Sequence, residues 1–115
     1  MKKILLIDGN MSRARIRADL LRRNGYEATV ESDPWSGLEA AARDQFDSVV
    51  YVFGKNAGES ELPDYLEKAL PNAKIFAYTQ DKSWKPESIS RVSINMLRNY
   101  TNKKLFESNF VQNAA

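Results

Sequence analysis

Neither cysteine nor histidine occurs anywhere in the chain. Without thiols there can be no disulfide, no thiolate nucleophile and no zinc–thiolate site, so the fold must hold by packing alone. Without imidazole the chain lacks the usual general base and the commonest metal ligand, which removes most hydrolase mechanisms. Long apolar runs are missing as well. Nothing approaches the roughly 20 apolar residues of a bilayer span. Lys2 and Lys3 followed by the apolar tetrad Ile4 to Ile7 have the start of a secretory signal, but Asp8 cuts the run far too early. These absences point to the cytoplasm. Charge of one sign is not in large excess either, at a net +2, so long-range attraction to nucleic acid is weak unless the cations cluster. What remains is an ordinary globular composition, 43% apolar and 28% charged over 115 residues, which suits a single domain with one core.

Apolar runs alternate with helical patterns, and this alternation is the architectural signal. Lys3 to Ile7 reads as a buried strand, because its consecutive aliphatics leave no solvent face. Ser12 to Asn24 follows as a helix, with Ser12 as N-cap, Ile16, Leu20 and Leu21 on one face and Gly25 as the stop. Tyr26 to Ser32 alternates polar with apolar at Ala28 and Val30, as an edge strand does. Asp33 caps a second helix with Pro34 in its first turn and Leu38, Ala41, Ala42 and Phe46 as the inward stripe. Ser48 to Phe53 is the most hydrophobic strand and is expected at the centre.

Ser60 to Leu70 has a helical pattern, with Leu62, Leu66, Ala69 and Leu70 spaced for burial and Pro71 as its end. Lys74 to Thr79 reads as a fourth strand. Beyond it the signal weakens to a short helix over Pro86 to Val92, a fifth strand at Ile94 to Leu97 and a last helix over Lys103 to Val111. Parallel strands need crossover helices, so five such units imply an α/β fold with a parallel sheet covered on both faces. In sheets of this kind ligands sit at the carboxyl ends of the strands. Those ends are Asp8-Gly9-Asn10, Val52-Phe53-Gly54, Thr79-Gln80 and Arg98-Asn99.

Taken in order, these ends resemble the receiver domain of bacterial two-component response regulators. "KKILLIDGN" looks like the first strand of that family, which ends in an acidic pair. "LLRRNGYEATVESDPWSGLEAA" is similar to its first helix, glycine-aromatic turn and second helix, and "FDSVVYV" to the strand that ends in the phosphorylated aspartate. "KIFAYTQ" carries the position of the switch threonine, and "NMLRNY" stands where the family has a strand followed by lysine, proline and an aromatic. The resemblance covers nearly the whole chain. It implies a CheY-like three-layer α/β/α sandwich with five parallel strands in the order 2-1-3-4-5, residues 1–115 forming one domain.

Carried over residue by residue, the resemblance fails at the chemistry. Asp8 matches the first acid of the magnesium site, Gly9 stands at the second, and Val52 falls on the phosphoacceptor. Thr79 matches the switch threonine, while Arg98 replaces the lysine and Asn99 the proline. Phosphoryl transfer needs an oxygen nucleophile and a cation to offset charge on the moving group. A valine has no lone pair, and a single carboxylate is a poor site for a hard cation. The expectation is a pseudo-receiver with no catalytic residues, no metal and no cofactor. Asp47 lies at the wrong end of the same strand to take over, and the spacing of Asp33, Glu59 and Asp81 gathers no metal cluster. Arg98 is expected to reach Asp8 and Thr79 across the vacated pocket, its planar head standing in for lysine and metal. As a bland alternative, Asp8 is a structural carboxylate and Val52 simply closes a central strand.

Other features have competing readings. Arg13, Arg15, Arg17, Arg22 and Arg23 with Lys2 and Lys3 form a charge cluster that reads as the solvated face of a helix; the alternative is that Arg15, Arg22 and Arg23 make a patch for an acidic partner or phosphates. No recognition-helix pair or aromatic platform for nucleic acid accompanies them. Gly54-Lys55 is no phosphate loop, since Val49 stands where the earlier glycine is required, and Gly9 lacks the companions of a dinucleotide fingerprint. Trp84 and Tyr100 fall in the fourth and fifth units, the face that receivers commonly use for docking or dimerisation, and are candidate interface anchors; the alternative is local packing. The function expected is therefore a phosphorylation-independent protein-interaction module in bacterial signalling. The alternative is a ligand-gated regulator that binds a small molecule or nucleotide in the emptied pocket.

Overall fold

A computed structural model describes residues 2–53, 61–79 and 92–96 of the chain. Its elements run β1 (Lys3–Asp8), α1 (Met11–Arg23), β2 (Glu27–Glu31), α2 (Pro34–Arg43), β3 (Ser48–Phe53), α3 (Leu62–Ala69), β4 (Lys74–Thr79) and β5 (Val92–Met96). Every pairing is parallel. β1 pairs with β2 on one side and β3 on the other, β4 follows β3, and the backbone of β5 lies beside β4. The fifth strand expected at Ile94 to Leu97 begins two residues earlier, at Val92, which the sequence pattern assigns to the end of a helix; the rest of that segment, 86–91, and the segment 103–111 lie outside the described residues.

Period-two geometry sends the consecutive aliphatics of β1 alternately to the two faces of the sheet. Ile4 and Leu6 join Ala14, Ala18 and Leu21 of α1, together with Val50 and Val52 of β3. Leu5 and Ile7 join Ala40 and Ala41 of α2, Leu62 and Leu66 of α3, and Tyr51 and Phe53. One face is thus covered by α1 and the other by α2 and α3. The rings of Tyr51 and Phe53 stack at 4.7 Å between centroids along the second face. β2 is the outermost strand on its side, as its alternating pattern requires.

Three local expectations are corrected. The N-cap of α1 is Asn10 rather than Ser12, its Oδ1 accepting from the Arg13 N–H at 3.0 Å. The buried stripe of α1 is Ala14, Arg17, Ala18 and Leu21, leaving Ile16 68% exposed. Two alanines one turn apart let the helix backbone approach the sheet, and this close approach outweighs the larger aliphatic surface that Ile16 offers. In α2 the inward residues are Gly37, Ala40 and Ala41, and Ala42 faces solvent. Gly37 is where α2 meets β1 most closely: a Cβ there would lie 2.5 Å from Cδ1 of Ile7.

The remaining caps follow the sequence reading. Asp33 caps α2, its Oδ2 accepting from Ser36 N at 2.9 Å, and Pro34 occupies the first turn, where its missing donor costs nothing. Gly25 ends α1 with φ 87°, the left-handed conformation that glycine adopts without strain. At the amino edge of the sheet Asp47 accepts from the backbone N–H of Lys3 at 2.7 Å, and the Lys3 ammonium reaches Asp44 at 2.7 Å. The hydrogen bond from Lys3 holds the Asp44 carboxyl below its ordinary range, and the same contact raises the Lys3 ammonium. Asp47 is thus fixed far from the carboxyl ends of the strands.

Candidate functional site

β1 delivers Asp8 as its last residue, and the chain then turns through Gly9 to the Asn10 cap and into α1. The turn brings Arg13, in the first turn of the helix, back over the strand end. Its Nε donates to Asp8 Oδ2 at 2.7 Å and its Nη2 to Oδ1 at 2.5 Å, while the backbone N–H of Asn10 donates to Oδ1 at 2.9 Å. Asp8 is 1% exposed and the Arg13 side chain 17%. A two-point guanidinium–carboxylate fork of this kind is among the stronger charge-assisted contacts, and its planarity fixes both groups in orientation.

Val52 stands directly across from Asp8 in the β1–β3 register and is buried in the apolar cluster under α1. Its isopropyl group continues the packing of Val50 and Leu6 up to the rim of the sheet. One strand further, Tyr78 pairs with Val52 and Thr79 with Phe53, so the Thr79 backbone ends β4 one position beyond the Val52 row. Gly9 is exposed, and among the described residues a Cβ built on it would meet the carbonyl oxygen of Ser32 at an ordinary 3.7 Å, so these neighbours leave room for a side chain. Among the described residues no group of three or more acidic side chains gathers to hold a metal ion.

Asp8, Gly9 and Val52 therefore meet at one strand-end corner, with Thr79 on the neighbouring strand. Arg98, Trp84 and Tyr100 lie outside the described residues, as do Glu59 and Asp81. The clasp expected from Arg98 has a counterpart that sequence reasoning missed: both oxygens of Asp8 already accept from Arg13. A signal was available. The first turn of a helix favours acidic residues because the positive end of the helix dipole lies there, and α1 has none. An arginine in that turn, five residues after a strand-end aspartate, calls for a carboxylate to offset it.

A second feature also escaped the sequence reading. Trp35 of α2 and Tyr65 of α3 are 51% and 43% exposed, with ring centroids 6.4 Å apart and planes tilted by 53°. Both sit near the amino ends of their helices, on the same end of the sheet as Asp8.

Strand order, parallel pairing and the placement of the helices define the fold of CheY-like response-regulator receiver domains. Among solved structures, the chain superposes on a receiver domain protein (CheY-like) from Methanospirillum hungatei with a TM-score of 0.74 at 18% identity, covering 95% of this chain and 90% of that one. It matches the response regulator protein TrrA from Thermotoga maritima, solved in complex with Mg(2+)-BeF, with a TM-score of 0.74 at 19% identity over 95% of this chain and 96% of that one. The Vibrio cholerae chemotaxis protein CheY4 gives 0.72 at 17% identity, with 95% and 96% covered. At such identities the likeness establishes the fold. No protein-family model and no curated protein matches the sequence.

Proposed function

We propose that this chain is a pseudo-receiver: a single (βα)5 domain of the response-regulator type that has lost aspartyl phosphorylation and serves as a protein-interaction module in bacterial two-component signalling. The observation that carries the reading is the Asp8–Arg13 fork beside a buried Val52. In the receiver pattern the strand-end acid helps to hold magnesium and the residue opposite accepts the phosphoryl group. Here the acid is neutralised by an internal cation, and the residue opposite has no nucleophilic atom. A guanidinium at 2.7 Å leaves a magnesium ion no room to share the carboxylate without electrostatic conflict.

On this reading Thr79 and Arg98 are vestigial site positions, and the output comes from a fixed surface. A cytoplasmic location accords with the lack of cysteine, and no described helix is long and apolar enough to cross a membrane. The test is incubation with a small phosphodonor and Mg2+, followed by intact mass spectrometry. No phosphoryl adduct is expected. A stoichiometric, base-labile acyl phosphate would overturn the reading.

A further inference from the structure

Two exposed faces of the chain carry opposite charge, and each holds an apolar anchor. On α1, Ile16 is 68% exposed, with the exposed Arg15 beside it and Arg23 two turns further on; the exposed Asp19 between them is offset by Arg22 at 3.7 Å. On the α2–α3 side, the exposed Trp35–Tyr65 pair shares its helix faces with Glu39, four residues after Trp35, and Glu61, four residues before Tyr65. Next to Tyr65 lies an open hollow of about 600 Å3 whose walls include, among the described residues, Glu61, Asp64, Glu67 and Lys68. The chain is net basic at +2, so this acidic hollow is a local reversal of the overall sign. Exposed aromatics with a carboxylate rim suit an aliphatic side chain carried between arginines, since aromatic rings take both apolar contact and guanidinium stacking.

The chain supplies that complement itself. We propose that copies of this chain associate head to tail, α1 of one copy seating Ile16 against Trp35 and Tyr65 of the next, with Arg15 and Arg23 facing the Glu39 and Glu61 rim. The two faces lie on opposite sides of the sheet, because α1 packs on the Ile4–Leu6 face and α2 and α3 on the Leu5–Ile7 face. The contact is therefore heterologous: each contact uses α1 of one copy and the aromatic face of the next, the pair keeps one free face of each kind, and the assembly extends. Contact through one helix on one side and two helix ends on the other is smaller than a standard stable interface, so association is weak, with a dissociation constant on the order of 0.1 mM, and weakens with salt. This inference rests on the reading of the chain as a fixed interaction surface, although its test is independent of phosphorylation.

Sedimentation velocity of the full chain, at rising concentration and low salt, tests it. The weight-average sedimentation coefficient is expected to rise with concentration and to fall back when salt is added. Ile16→Glu and Trp35→Ala, both at exposed positions and checked for folding by circular dichroism, are each expected to be monomeric. Mixed in equal amounts they should give a dimer that grows no further, because one retains the aromatic face and the other retains α1. A wild-type chain that stays monomeric at about 1 mM in low salt overturns the proposal. So does self-association that survives either substitution, which would place the contact elsewhere, and so does a monomer whose Trp35 face captures an added Arg-rich peptide, which would make another protein's basic segment the occupant. An acyl phosphate found on the chain would refute the pseudo-receiver reading and leave these outcomes unchanged.

Discussion

Replacing Arg13 by alanine isolates the contact on which the site depends. The substitution leaves Asp8, 1% exposed, with one remaining donor among the described residues, the Asn10 N–H. Removing one partner of a fully buried ion pair costs about 3–5 kcal/mol, mostly through the stranded charge. The Arg13 side chain is 17% exposed, so water can reach part of the vacated space and the cost falls to the bottom of that range or just below it, about 2–3 kcal/mol. With a urea slope of about 1.5 kcal/mol/M for a domain of this size, the unfolding midpoint should fall by about 1.5–2 M. At roughly 4 °C per kcal/mol, the melting temperature should fall by about 8–12 °C. Asp8→Asn in the Arg13→Ala background removes the stranded charge and should recover more than half of the loss, whereas Asp8→Asn alone should destabilise. The double-mutant cycle, followed by circular dichroism in urea, therefore expects a coupling of about 2 kcal/mol. Arg13→Ala costing less than about 0.5 kcal/mol, the scale of an exposed pair, or failing to be rescued by Asp8→Asn, would refute the view that the fork holds the strand end.

The same geometry yields further outcomes. Val52→Asp puts a carboxylate into an apolar cluster opposite Asp8 and should cost about 2–4 kcal/mol in urea unfolding, without conferring a thermal response to Mg2+. Adding Gly9→Asp, for which there is space, and Arg13→Ala should assemble three carboxylates and produce a Mg2+-dependent rise of several degrees; a flat response would show that more than these positions was lost. Gly37→Ala should destabilise by about 1 kcal/mol, because forcing a methyl against the buried Ile7 outweighs the gain in helix propensity of about 1 kcal/mol. Adding Ile7→Val should recover part of this, and a Gly37→Ala chain more stable than wild type would disprove the close contact. The advantage of wild type over Lys3→Met should be present at neutral pH. It should vanish as pH falls below 3.8 through the lowered pKa of Asp44, and again as pH rises above 10.5 through the raised pKa of Lys3. Urea midpoints compared across that range check it, and a pH-independent difference would exclude the pair as its source.

How far the sequence could be read follows from what each signal measures. Uninterrupted runs of aliphatic residues at Ile4 to Ile7, and of aliphatic and aromatic residues at Val49 to Phe53, report burial on both faces, so the central strands and their parallel pairing were legible at once. The inward face of α1 was not. Ile16, Leu20 and Leu21 make a plausible apolar stripe, but Ala14 and Ala18 allow closer packing, a property of shape that a hydrophobicity pattern does not record. The meeting of Asp8, Gly9 and Val52 at one corner was legible, because it needed only the identity of the strand-end residues. The partner of Asp8 was hidden in a group of arginines that read as a solvated face: the backbone turn through Asn10 brings Arg13 over the strand end, and Arg17 is buried beneath the helix. The Trp35–Tyr65 pair joins two helices 30 positions apart in the chain, a proximity that local patterns do not encode.

The outermost position of β2 has its own bearing on any assembly. Its outer rim carries backbone donors and acceptors of the kind that let one sheet add to another, yet the Ala28 carbonyl there already accepts from Arg22 at 2.9 Å, and the strand begins at Glu27 and finishes at Glu31. Two such rims brought together would set carboxylate against carboxylate, a repulsion that discourages ladder growth of the amyloid kind. A crowded solution of this protein is thereby steered toward reversible contacts between helices, and away from irreversible backbone zippering.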